Sequence, residues 1–186
     1  MARPVGHSGS LMKTMTPEYL TLLEEKHATD ASWGNTSGRY LETVESLLET
    51  FNCQTVLDYG CGKGVLLTAL RDGITAIGYD PAIPKFSRKP EMVFDMAICT
   101  DVMEHVEEEF VAGVLSDVKQ YAGKVAYFMI ACYPAQHTLS DGRNTHVTIK
   151  PPEWWIAQIE DAWGGSAKVD ARHTDFEVEL LVLMKG

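Results

Sequence analysis

The run Val56-Leu57-Asp58-Tyr59-Gly60-Cys61-Gly62-Lys63-Gly64 limits the fold of this chain more than any other segment. Thr55, Val56 and Leu57 read as a short buried strand. Val65, Leu66, Ala69 and Leu70 fall at helical spacing just after it. Between them three glycines alternate with other residues, so the backbone can turn tightly and a ligand can approach it closely. A strand that passes through such a turn into a helix is the setting of a nucleotide-type loop. The helix start beyond it offers unpaired amides to a carboxylate, and Asp58 could attract an ammonium group. A purely structural turn is the alternative.

The same alternation continues along the chain. Gly73 is placed to end the first helix, because a residue just past a helix end needs positive φ. Ile74 to Tyr79 and Phe94 to Cys99 read as strands, and Val125 to Ala131 as a strong one. Phe110, Val111, Val114, Leu115, Val118 and Tyr121 share helical spacing. Pro152 to Trp163 reads as a helix opened by prolines, and Ala167 to Ala171 and Phe176 to Met184 can pair as closing strands. Apolar strands alternating with helices imply a mostly parallel sheet covered on both faces, a doubly wound α/β fold. Upstream, Thr16-Pro17-Glu18 is a helix opening. Ala31 to Gly38 is a loop carrying Trp33-Gly34, and a second helix runs from Arg39 to about Phe51. Residues 1–15 look like a flexible start.

Composition narrows the function. The 186 residues are 45% hydrophobic and 23% charged, an ordinary globular balance. No apolar run approaches the ~20 residues that cross a bilayer, and Met1 to Lys13 lacks the apolar core of a secretory signal. The net charge is −10, and cations such as Lys85, Arg88 and Lys89 are scattered. General nucleic-acid binding would leave a basic stripe and is not expected, although a nucleic-acid terminus held by a few contacts is compatible. Cys53, Cys61, Cys99 and Cys132 form no CxxC pair and lie in or beside apolar runs. That pattern fits buried thiols in a reducing cytoplasm.

The segment DYGCGKG resembles the DxGxGxG motif of the class I S-adenosylmethionine (SAM)-dependent methyltransferases. Asp80, closing Ile77-Gly78-Tyr79-Asp80, matches their acidic residue for the ribose hydroxyls. The resemblance covers roughly residues 37–132 well. It implies a Rossmann-like fold and methyl transfer from SAM, with S-adenosylhomocysteine as product. The cofactor-binding positions it implies are Asp58, Gly60, Cys61, Gly62, Gly64, Asp80 and Pro81, then Thr100 and Asp101, with Trp33 on an N-terminal segment laid over the cofactor. The dinucleotide fingerprint GxGxxG fits less well, because Val65 stands where its last glycine belongs. One departure is plain: residues 81–93 separate Asp80 from Phe94 and contain Pro81, Pro84 and Pro90. Prolines break helix interiors, so the helix and third strand usual there do not fit, and the fold is shortened at that point.

Thr100-Asp101-Val102-Met103-Glu104-His105 resembles the family's fourth-strand motif, which lies beside the transferring methyl group. Asp101 and Glu104 also have capping-box spacing and could simply start a helix. SAM already carries an activated methyl, so the enzyme's main task is alignment. An oxygen acceptor must in addition lose a proton, and histidine, with an ordinary pKa of ~6.5, is the natural base. His105 and His146, with Glu104, are the catalytic candidates. Asp101, Glu104, His105 and His146 are also similar to the metal-binding set of the 2′-O-methyltransferases that act on small-RNA 3′ ends, with Asp101 in place of a glutamate. A divalent metal there, of Mn, Fe, Co or Zn type, is the alternative; the metal-free reading is expected.

The expectation is one methyltransferase domain over residues 1–186, with 1–38 as a cap. The acceptor is an oxygen of a small molecule, sugar or nucleotide terminus, in a site built from residues 1–38 and 133–163. Trp154 and Trp155 line that site, or one of them is core. His7, His27, His137 and His173 have no motif context and are read as surface or loop. The rivals are a metal-assisted RNA 3′-terminal 2′-O-methyltransferase and a non-catalytic SAM-binding partner protein. Asp80→Ala is expected to weaken SAM and S-adenosylhomocysteine alike in calorimetry, because both carry the ribose hydroxyls. Unchanged affinity removes Asp80 from the site, and NADH binding without SAM binding overturns the whole reading.

Overall fold

The computed structural model describes Pro4 and residues 13–185. Most of the flexible start expected over residues 1–15, His7 included, lies outside the described residues.

Helix α1 (Pro17–Thr29) begins as its sequence dictates, with the Thr16 side chain accepting a hydrogen bond from the Tyr19 backbone N–H. A short tight-helical turn at Thr36–Tyr40 leads into α2 (Leu41–Thr50). The order is then β1 (Thr55–Tyr59), α3 (Val65–Ala69), β2 (Thr75–Tyr79), β3 (Phe94–Thr100), α4 (Val111–Tyr121), β4 (Ala122–Ala131), α5 (Pro152–Trp163), β5 (Ala167–His173) and β6 (Glu177–Met184). The strands form one sheet in the order β2-β1-β3-β4-β6-β5. The first four run parallel, while β6 is antiparallel to both β4 and β5. The carboxyl ends of β1 to β4 therefore meet along one edge, where such sheets bind ligands.

Strand side chains alternate between the faces with period two. Val56, Met96, Ile98, Val125 and Tyr127 pack with Val44, Leu48 and Leu66 of α2 and α3. Leu57, Ala97, Cys99, Ala126 and Phe128 pack with Leu115, Val118, Trp155, Ile159 and Trp163 of α4 and α5. The sheet is thus covered on both faces. All four cysteines are free, and Cys53, Cys61 and Cys99 are buried. Among the described residues no helix is long and apolar enough to cross a membrane.

Two local expectations meet the structure differently. Residues 81–93 hold no helix and no strand, as the prolines require. β2 is consequently a sheet edge. The irregular segment folds back on it, with the Asp80 N–H donating to the Phe86 carbonyl at 3.0 Å. Lys89 Nζ reaches Asp117 Oδ2 on α4 at 2.6 Å, and the same oxygen accepts from Tyr59 at 2.7 Å. Gly73, by contrast, does not cap α3. The helix stops at Ala69, because Leu70 is extended at φ −62° and ψ 145°. The next N–H, of Arg71, donates to Glu45 Oε1 at 3.0 Å instead of continuing the helix. Gly73, with φ 90°, sits in the turn that follows.

Trp155 is wholly buried where α5 meets the sheet, and its indole N–H has no partner among the described residues. Trp155→Ala is expected to lower the unfolding free energy by about 3–5 kcal/mol in urea titration. Trp155→Phe should retain most of that stability, because no hydrogen bond is lost. A loss below ~1 kcal/mol for the alanine variant would contradict this packing.

Candidate active site

A cavity of about 430 Å³ opens at the carboxyl edge of the parallel strands. Gly60, Cys61 and Gly62 border it from the turn after β1, and Asp80 and Pro81 from the end of β2. Thr100, Asp101, Glu104 and His105 border it after β3, His146 after β4, and Trp33 from the segment following α1. Of the sequence-derived positions, Asp58 and Gly64 are not in the wall. Asp58 is buried behind the turn, where burial and then the charge of Asp80 push its carboxyl up to about 7. Gly64 packs under Phe86.

The glycine turn is fixed by its own neighbours. Gly60 N and Cys61 N both donate to the Tyr79 carbonyl, at 2.7 and 3.1 Å. Gly62 N donates to Asp80 Oδ2 at 3.0 Å, Lys63 N to the Gly34 carbonyl at 2.9 Å and Gly64 N to the Cys61 carbonyl at 2.9 Å. The amides expected to receive a ligand carboxylate are therefore already engaged. Gly62 adopts φ +52°, and a Cβ there would overlap the Gly34 carbonyl. That close approach lays the Trp33-Gly34 segment directly on the turn. Lys63 Nζ secures it by donating to the Asp30 and Ala31 carbonyls at 2.9 and 2.7 Å.

The two histidines are oriented from behind. His105 Nδ1 lies 2.6 Å from the Thr145 carbonyl and His146 Nδ1 2.5 Å from the Tyr133 carbonyl. A carbonyl only accepts, so each Nδ1 carries the hydrogen and each Nε2 keeps its lone pair. The rings sit 4.8 Å apart between centroids, and Trp33 meets His105 edge-on at 5.0 Å. Burial, then the neighbouring His146, pushes His105 down to about 3; burial lowers His146 as well. Glu104 is fully buried. Its Oε1 accepts from Ala131 N at 3.1 Å, and its Oε2 has no partner among the described residues. Burial and the charge of Asp101 push this carboxyl up to about 8. One ligand atom from each of Glu104, His105 and His146 falls within 4.8 Å of the others.

Asp101 stands apart from that trio. It adopts φ +54°, and its Oδ1 accepts from Arg39 Nη2 at 2.8 Å and Tyr40 OH at 2.7 Å. Asp101 and Glu104 form no capping box: Met103–His105 is a single tight turn, and α4 begins at Val111 with no side-chain cap. The carboxylates serve the cavity wall instead.

Sequence reasoning missed several wall residues. His27 and His137, read as surface or loop, both border the cavity and flank Trp33 at 6.3 and 5.6 Å. Arg39 and Tyr133 also border it. The signal available for His27 was its place seven residues before Gly34 on the covering segment; nothing local marked His137. Trp154 and Trp155 do not border the cavity, because α5 lies against the sheet face, where Trp155 is core. From residues 133–163 only Tyr133, Ala135, Gln136, His137 and His146 reach the site.

A family model described as a methyltransferase domain matches residues 31–173, which contain both the glycine turn and the two histidines. The chain belongs to the methyltransferase-domain family. Together with the DYGCGKG turn and the Rossmann-like sheet, this makes it a SAM-dependent methyltransferase. Comparison with curated protein sequences finds no match. Among solved structures, the methyltransferase is similar to the 1,6-didemethyltoxoflavin-N1-methyltransferase of Burkholderia thailandensis, solved with 1,6-didemethyltoxoflavin and S-adenosylhomocysteine. The TM-score is 0.64 at 12% identity, covering 98% of this chain and 94% of that one. It is similar to the magnesium protoporphyrin IX methyltransferase of Synechocystis, solved with SAM, at TM-score 0.57 and 13% identity, covering 93% and 100%. An O-methyltransferase family protein from Burkholderia thailandensis matches at TM-score 0.59 and 14% identity; the alignment covers 88% of this chain and 63% of that protein, less than two thirds of its length. At these identities the likeness is one of fold.

In this methyltransferase Gly62→Ala forces both a strained φ and an overlap with Gly34. The expected result is a loss of about 1–3 kcal/mol of stability, read as a lowered Tm, with faster proteolysis near residues 30–36. An unchanged Tm and digestion pattern would show that the covering segment is not clamped to the turn.

Proposed function

We propose that this methyltransferase moves the methyl group of SAM to an oxygen of a small molecule, sugar or nucleotide terminus. One observation carries the reading: His105 and His146 both border the cavity of the glycine turn, each with its Nδ1 tied to a carbonyl and its Nε2 without a partner among the described residues. The acceptor oxygen attacks the methyl carbon, the bond from sulfur to methyl breaks, and S-adenosylhomocysteine leaves. The hydroxyl proton passes to an imidazole Nε2. His146 is the more accessible base, and His105 orients the acceptor. Glu104, held neutral by burial, adds a hydrogen bond from its otherwise unpartnered oxygen.

The cofactor lies against Gly60, Cys61 and Gly62. Asp80 takes the ribose hydroxyls, Pro81 bounds the adenine side, and Thr100 and Asp101 meet the methionine end. Asp58, buried behind the turn, and Gly64 both act through the turn's shape. Of the cap expected over residues 1–38, the described part from residue 13 onward covers the site, with Trp33 above the reacting atoms. The chain works as one domain, and its free cysteines suit the cytoplasm.

A second reading rests on the clustering of Glu104, His105 and His146 within 4.8 Å. Those three residues fit a divalent cation of Mn, Fe, Co or Zn type. Each histidine already has its Nδ1–H tied to a carbonyl, as metal-bound histidines do. The cation would supply positive charge beside the acceptor hydroxyls, as at an RNA 3′ terminus. Asp101 would stay outside the set, because Arg39 and Tyr40 hold its Oδ1.

His105→Ala and His146→Ala are each expected to keep SAM affinity and lose turnover by about 10²–10⁴-fold, with chelator leaving the wild type unaffected. Loss of activity in chelator and recovery with Mn or Co would favour the second reading. Full activity in both variants would overturn the catalytic assignment.

A further inference from the structure

We propose that Arg39 and Ser37 hold the α-carboxylate of the cofactor's methionine end, while Asp101 Oδ2 takes the adjoining ammonium. The assignment rests on the SAM reading and names residues that the motif did not supply.

A carboxylate at the glycine turn would ordinarily be met by backbone amides and a helix N-terminus. Here the amides of residues 60–64 all donate to protein acceptors. α3 has only five residues, and its N-cap Gly64 does not border the cavity. The charge must be met by side chains. Among the described residues, Arg39 is the one Lys or Arg that borders the cavity. Lys63, the cation of the turn itself, has its ammonium tied to the Asp30 and Ala31 carbonyls.

Ser37 borders the cavity and is 6% exposed, yet its Oγ has no partner among the described residues. A buried hydroxyl without a hydrogen bond is costly, so its presence points to a ligand. Asp101 Oδ2 is likewise buried and unpartnered. Arg39 engages Asp101 through Nη2 at 2.8 Å and remains half exposed, and its Nε and Nη1 donors have no partner among the described residues. An α-amino acid carries opposite charges one carbon apart. An ion pair with free donors on its cation and a free acceptor on its anion is the complementary shape.

Gly38, beside Ser37 and Arg39, packs against Val65 Cγ1 at the start of α3, and Gly60 packs against Val102, next to Asp101. The two halves of the pair thus flank the glycine turn, where the methionine end of the cofactor must lie for its methyl to face His105 and His146.

The test compares SAM with its decarboxylated analogue, S-adenosyl-3-methylthiopropylamine, by calorimetry. Wild type should prefer SAM. Arg39→Gln should weaken SAM by about 10- to 100-fold, the range for hydrogen bonds to a charged group, and leave the analogue within about 2-fold. Ser37→Ala, which leaves the Arg39–Asp101 pair intact, should show the same selectivity with a smaller loss. Equal weakening of both ligands in both variants, or no weakening in either, would overturn the assignment while leaving SAM binding in place. Failure of the wild type to bind either ligand would overturn the cofactor reading itself.

Discussion

The hydrogen bonds from Gly60, Cys61 and Gly62 to Tyr79 and Asp80 fix the position of everything else at the site. Through them the end of β2 holds the turn after β1, at 2.7–3.1 Å. The turn cannot shift relative to the sheet without breaking three hydrogen bonds, a net cost of roughly 0.5–1.5 kcal/mol each. A rigid turn in turn becomes the seat for the covering segment, because Gly62 and Gly34 pack backbone to backbone and Lys63 ties the carbonyls before them. Asp80 keeps further acceptor capacity toward the cavity although it already serves Gly62 and Ala82.

The covering segment and the far wall are coupled by the same kind of contact. Tyr19 OH donates to the His105 carbonyl at 2.7 Å, and Thr16 N to Glu107 Oε2 at 2.9 Å. Trp33 then fills the space between His27, His105 and His137. The irregular segment after β2 is held from below by the Lys89–Asp117–Tyr59 contacts. The segment after β2, which forms neither helix nor strand, is thus tied by side chains to α4 and β1.

Much of the fold was legible in the sequence, because strand alternation and helical spacing are local signals. The order of elements, the break at residues 81–93 and the paired closing strands all follow from them. What was not legible depended on partners far apart in the chain. The length of α3 turns on Glu45 capturing the Arg71 amide, which no periodicity reports. His27 reaches the site because the covering segment folds back and His137 because the loop after β4 borders the same cavity, whereas Trp155 is core where α5 packs on the sheet face. The engagement of the turn's amides was hidden too, since glycine spacing shows that a backbone can approach a ligand and not which groups remain free. That hidden feature shifts recognition of a carboxylate from the turn's amides to side chains such as Arg39.

The central claim is that one cavity holds the cofactor at the glycine turn with its sulfur facing the two histidines. A crystal structure of the protein with S-adenosylhomocysteine tests it most directly. The account predicts the ribose at Asp80, the methionine end at Arg39 and Asp101, and the sulfur turned toward His105 and His146 beneath Trp33. A ligand bound elsewhere, or lying in the cavity with its sulfur turned away from both histidines, would contradict it.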